Sequence, residues 1–232
     1  MKNHNGHLNH AHHHTSDTGN LQNEISIKVS YNRNLLIIEL KDNHNQAPQL
    51  EINHEKELHL IIISSDMKKY LHLHPKNIGT GKFEQEIALE EGSYKIFVDI
   101  SPRDLIYRVK PIDLNVGHLI NNHSHHNLEP DTKLQKTINN KSLELQIDSL
   151  SVDQPTTLTY NFLDTLPEPY LGALGHVIII NEEATQFIHV HPVSDDKTIF
   201  TTQFINPGLY KVWGEFKFND QVITYPFVIE VK

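Results

Sequence analysis

Two stretches of this sequence place histidines at a spacing that could hold a metal ion. His59, His72 and His74 lie in H-L-I-I-I-S-S-D-M-K-K-Y-L-H-L-H-P, residues 59–75. His176, His189 and His191 lie in H-V-I-I-I-N-E-E-A-T-Q-F-I-H-V-H-P, residues 176–192, a constant 117 positions later. Each stretch keeps three histidines, an Ile-Ile-Ile run, an aromatic two residues before the second histidine, and a closing proline. The turn between has changed from S-S-D-M-K-K to N-E-E-A-T-Q. A lone H-x-H on a strand is usually a partly exposed polar pair. The same three positions holding histidine twice, across a diverged turn, point to a tri-histidine metal site in each copy. Imidazole nitrogens suit first-row transition metals, and three protein ligands leave one coordination position open.

The elements that must position these rings follow from side-chain alternation. His72 and His74 are two apart and share one face of a strand. A hairpin turning at Asp66-Met67 sets Ile63 opposite Tyr70, Ile61 opposite His72 and His59 opposite His74; a two-residue slip would pair His59 with His72 and keep all three on one face. Opposed Cβ atoms lie about 5 Å apart, so all three rings meet on one face. That face is expected at the mouth of a sandwich, with Ile61, Ile63 and Tyr70 running toward the core, and each copy is expected to be an independent site. Ligation needs neutral imidazole, so binding is expected to weaken as pH falls through about 6.5. Asp99 and Glu215 are equivalent positions, five residues after Tyr94 and Tyr210. They read as solvated strand charges; the alternative is a fourth ligand or a carboxylate that orients an imidazole.

Composition narrows the chemistry. The 232 residues include 18 histidines and no cysteine. Disulfides, zinc ribbons, iron–sulfur clusters and thiolate copper sites are excluded. Two methionines, Met1 and Met67, are too few for a thioether Cu(I) site. The metal is then Cu(II), Zn(II) or Ni(II), with copper or zinc favoured. A formal net charge of −9 argues against a nucleic-acid partner. No apolar run reaches the roughly 18 residues of a membrane span. The N-terminus lacks an apolar signal segment, which places the chain in the cytoplasm as it stands, or outside it if a leader is missing.

In chain order, residues 1–20 read as a disordered His-rich tail carrying His4, His7, His10, His12, His13 and His14. Residues 21–117 form a first domain, opening with the alternating strand I-S-I-K-V and holding about seven short strands between turn signals. Residues 118–140 read as a linker with His118, His123, His125 and His126. Residues 141–232 repeat the plan: L-E-L-Q-I answers I-S-I-K-V, and G-L-Y-K-V-W answers G-S-Y-K-I-F. Many short strands in duplicate make an all-β chain of two tandem β-sandwiches from an internal duplication.

The motif H-x12-H-x-H-P, with Y-L-G-A-L-G-H at 170–176 and P-G-L-Y-K-V-W at 207–213, resembles a group of Bacillus-type secreted or metal-binding β-sandwich proteins, distantly similar to YtkA-like and CopC-like domains. The resemblance covers roughly 25–117 and 141–232. It implies immunoglobulin- or cupredoxin-like sandwiches and a role near copper or another heavy metal, with the six motif histidines as the site.

The expected function is a metal-binding protein that buffers, sequesters or delivers the ion, with a metal transporter or chaperone as partner. Two alternatives use the same histidines: a metal-dependent hydrolase or cupin-type oxygenase, and a pH-responsive interaction module. An enzyme would need a general base, and none is evident, so binding is favoured.

Overall fold

The computed structural model describes residues 22–117 and 128–232, and every regular element within them is a β-strand. The N-terminal tail and the histidines of 118–126 lie outside the described residues. The first domain contains β1 (Ile25–Asn32), β2 (Leu35–Asp42), β3 (Leu50–Glu51), β4 (Leu58–Ser64), β5 (Tyr70–Leu73), β6 (Lys76–Gly79), β7 (Lys82–Glu86), β8 (Gly92–Pro102) and β9 (Ile112–Val116). One sheet runs β1-β2-β7-β6 and the other β3-β8-β4-β5, with β9 also pairing β8. The second domain contains β10 (Gln135–Ile138), β11 (Lys141–Ile147), β12 (Pro155–Phe162), β13 (His176–Asn181), β14 (Phe187–Val190), β15 (Ile199–Gln203), β16 (Gly208–Phe218) and β17 (Gln221–Val231). Its sheets run β10-β11-β12-β15 and β14-β13-β16-β17. Among the described residues, no sheet is shared between the halves.

Local chemistry explains several turns. Arg33 and Asn34 join β1 to β2 at φ 49° and 66°, and Asn139 and Asn140 join β10 to β11 at φ 48° and 58°. Two left-handed residues in a row match the twist of a tight hairpin, and asparagine tolerates that conformation best after glycine. The second of these turns corrects a boundary. β10 lies inside the stretch read as linker, pairs with β11, and packs Ile138 on the domain core. A four-residue strand leaves too little alternation to be read against a polar background.

Each domain has its own core between its sheets. In the first, Leu36, Ile38 and Leu40 of β2 face Leu60 and Ile62 of β4 and Ile96 and Val98 of β8. In the second, Leu143, Leu145, Leu158 and Phe200 face Val177, Ile179, Val212 and Phe227. The even positions of β4 thus fill the first core, and its odd positions point the other way.

Those odd positions form a third core between the domains. Ile61, Ile63, Met67 and Phe97 pack with Ile178, Ile180, Ala184 and Trp213. The Ile-Ile-Ile runs are strands buried on both faces, which removes the polar alternation of a half-exposed strand. Tyr70 stacks on Trp213 with ring centroids 4.8 Å apart, and Phe97 stacks on Phe187 at 5.3 Å. By the repeat alignment these two stacks are the same contact made in each direction, so the domains meet about a pseudo-twofold axis. Burying a large apolar side chain contributes about 1.5–3 kcal/mol. Several such residues make the pairing a packed interior rather than the polar, yielding contact usual between domains. This corrects the expectation that the histidine face opens at the mouth of one sandwich.

Candidate metal centre

The hairpin register matches the spacing argument. Ile61 pairs with His72 and Ile63 with Tyr70 on β4 and β5; Ile178 pairs with His189 and Ile180 with Phe187 on β13 and β14. His59, second in β4, and His176, first in β13, lie level with Asp99 and Glu215 on the neighbouring strands β8 and β16.

In the first domain the three rings converge. His59 Nδ1 is 3.1 Å from His72 Nε2 and 3.2 Å from His74 Nε2. One nitrogen from each lies within 4.8 Å of the others, a cluster that could hold a metal ion. Tetrahedral ligands at about 2.0–2.1 Å from zinc stand about 3.3 Å apart, close to these separations.

The remaining ring nitrogens set the tautomers. His59 Nε2–H donates to the Asn53 carbonyl at 2.9 Å. His72 Nδ1–H donates to Glu215 Oε2 at 2.6 Å. A carbonyl or carboxylate oxygen only accepts, so neutral His59 keeps its lone pair on Nδ1 and neutral His72 keeps its own on Nε2. These two lone pairs then face each other across 3.1 Å. With both rings neutral, a cation between them would accept both lone pairs.

Glu215 belongs to the other domain. It is 5% exposed, so it is no solvated strand charge, and Tyr70 Oη also donates to its Oε2 at 3.2 Å. The reciprocal contact is present: His189 Nδ1–H donates to Asp99 Oδ2 at 2.7 Å. Each domain therefore supplies the carboxylate that orients a histidine of the other. Such a carboxylate fixes the ring and raises its basicity toward a metal.

The second trio does not close in the same way: among the described residues, only His59, His72 and His74 bring one nitrogen each within 4.8 Å of the others. His176 and His189 have ring centroids 6.1 Å apart, and His189 and His191 5.1 Å apart. His176 Nε2–H donates to the Tyr170 carbonyl at 2.9 Å, the counterpart of the His59–Asn53 bond. His189 Nε2 is buried without a hydrogen-bond partner among the described residues. A seventh histidine joins this group: His54, from the first domain, sits 4.2 Å from His191 and 5.3 Å from His176 by ring centroid. Sequence reasoning missed it because its repeat counterpart, Leu171, is not a histidine. The two groups also touch, with His59 5.1 Å and His72 5.9 Å from His189. They are one seam of imidazoles, which corrects the expectation of independent sites.

Burial governs the protonation of the seam. Desolvation first, then the neighbouring imidazoles, hold His54 down at about 2 and His74 at about 3. Burial lowers His59 to about 4 against the opposing hydrogen bond to Asn53. Burial also lowers His176 and pushes His189 well below the ordinary value. Neutral imidazole is the ligating form, so metal should stay bound well below the pH near 6.5 expected from an unperturbed histidine. For the metal-free chain the sign is fixed. The native pKa values lie below the unfolded ones, so the unfolded chain takes up more protons as pH falls. The stability contributed by these neutral rings is fully present above about pH 6.5 and is lost toward the folded values. Thermal unfolding without metal should show a melting temperature that falls steadily from about pH 7 to pH 4; a flat profile would contradict buried, neutral histidines.

Among the described residues, no helix is long and apolar enough to cross a membrane. No curated protein matches the sequence. Structural matches include a two-domain fibronectin type-III segment of chicken tenascin, 12% identical with a TM-score of 0.27, covering 90% of this chain and 100% of that one. The Escherichia coli adhesin FdeC matches at 14% identity and a TM-score of 0.27, covering 90% of this chain and 64% of that one. The assignment as two sandwiches rests on the sheet orders and cores described above. The tandem organisation has a direct counterpart in sequence: the model of a domain of unknown function, DUF8832, matches twice, over residues 20–117 and 136–232, and the chain belongs to that family.

Proposed function

We propose that the chain buffers, sequesters or delivers a divalent transition metal, Cu(II), Zn(II) or Ni(II), through His59, His72 and His74 in one domain and His176, His189 and His191 in the other. The convergence of His59, His72 and His74 supports this most directly: one ring nitrogen of each lies within 4.8 Å of the others, while the outer nitrogens of His59 and His72 face the Asn53 carbonyl and the Glu215 carboxylate. Copper or zinc is the preferred ion, since nitrogen-only sites favour both. A metal transporter or chaperone is the proposed exchange partner.

Two alternatives fare less well. A hydrolase or oxygenase needs a free general base, and the nearest carboxylates, Asp99 and Glu215, are engaged by His189 and His72. A module switching near pH 6–7 needs histidines that titrate there, and five of these rings are pushed below their ordinary value.

The test is competition for Zn(II) between the full chain and a chromogenic chelator at neutral pH. The wild type should withdraw zinc from the chelator, and the combined change His59→Ala and His74→Ala should lose the ion held by the first domain's trio. Equal withdrawal by both proteins would assign the binding to other histidines.

A further inference from the structure

The tri-histidine reading takes three ligands from each repeat by analogy. The structure departs from that symmetry at one point. His54 lies in the short turn closed by the Asn53–Lys56 bridge, with φ 46°. Its counterpart Leu171 lies in the turn closed by the Tyr170–Ala173 bridge, with φ 52°. The two turns have the same role, each offering the carbonyl that fixes His59 or His176. The first turn also sends an imidazole across the seam, and the second has leucine there.

His54 reaches the second domain's histidines rather than its own. Its Nε2 faces His191 Nδ1. Its ring lies 5.3 Å from His176 and 5.8 Å from His189, against 6.3 Å from His59. His189 supplies an independent sign of a missing ligand, because its Nε2 is buried and unpartnered while its Nδ1 is held by Asp99. We propose that His54, His176, His189 and His191 form a four-imidazole site for a divalent transition metal, drawn from both domains and lying beside the His59–His72–His74 site. This rests on the metal-binding reading and adds to it. A four-ligand site is coordinatively closed, whereas a three-ligand site keeps a position open. The centre is then asymmetric: one ion ties the two domains together, and its neighbour can exchange a ligand.

Co(II) is the probe, because its visible d–d absorption is intense in tetrahedral nitrogen sites and weak in loosely hydrated ones. The full chain should hold two chelator-resistant Co(II) ions with tetrahedral spectra. His54→Asn should lose one of them and keep the other; asparagine accepts the left-handed turn, and unchanged metal-free unfolding would show that the fold is intact. Leu171→His should make the spectrum of the remaining three-histidine site more tetrahedral. Zn(II) addition to the wild type, followed through the 15N shifts of the His54 ring, reads the same ligand with no substitution. Retention of both ions in His54→Asn, or unmoved His54 shifts, would overturn the role of His54 while leaving the tri-histidine sites standing. Loss of neither ion in His189→Ala with His191→Ala would overturn the second site altogether.

Discussion

Replacing Trp213 with alanine should destabilise the chain by about 3–5 kcal/mol, the range for truncating a large buried aromatic. Trp213 is 2% exposed and belongs to the interdomain core, not to the core of its own sandwich. Its ring stacks on Tyr70, which in turn bonds Glu215. The substitution should therefore lower thermal stability and also weaken metal binding at the first domain's trio, although no ligand is touched. Phe97→Ala is the mirror experiment, removing the stack on Phe187. If Trp213→Ala melts at the wild-type temperature, the domains do not share a packed core.

Replacing Glu215 with leucine should weaken metal binding at His59, His72 and His74 by about 10–100-fold, the usual cost of removing the carboxylate behind a ligating histidine. The effect crosses domains: Glu215 is on β16, and the weakened site is built from β4, β5 and the residue that follows β5. Glu215→Gln should retain much of the affinity, because the amide oxygen can still accept from His72 Nδ1–H. Asp99→Leu should act in the same way on the second site through His189. Zinc affinities of the four proteins, measured by calorimetry, decide it. Equal affinity for wild type and Glu215→Leu would reduce the 2.6 Å contact to a bystander.

Much of the site was legible in sequence because hairpin register is arithmetic. Once the turn was set at Asp66-Met67, alternation put His72 opposite Ile61 and on the face of His59, and the strands pair that way. The duplication supplied the second copy and both sandwiches. What stayed hidden is the relation between the copies. The signal was present in Ile61-Ile62-Ile63 and Ile178-Ile179-Ile180, since a strand apolar on both faces needs a second partner. Sequence does not say which surface that partner presents. Asp99 and Glu215 were weighed as solvated charges for the same reason: the histidines that bond them, His189 and His72, come from the other domain. His54 escaped because comparing repeats selects only what both copies keep, and its counterpart is Leu171. β10 escaped because Gln135–Ile138 is short and sits next to a polar stretch.

An ion at the seam between the domains is the central claim. Crystals of the zinc-loaded full chain, with anomalous diffraction recorded at the zinc edge, test it most directly. The expected result is a peak about 2.0–2.1 Å from His59 Nδ1, His72 Nε2 and His74 Nε2, with Glu215 still accepting from His72 Nδ1–H. Zinc found only on other histidines, with the His59 and His72 nitrogens still facing each other across an empty gap, would contradict it.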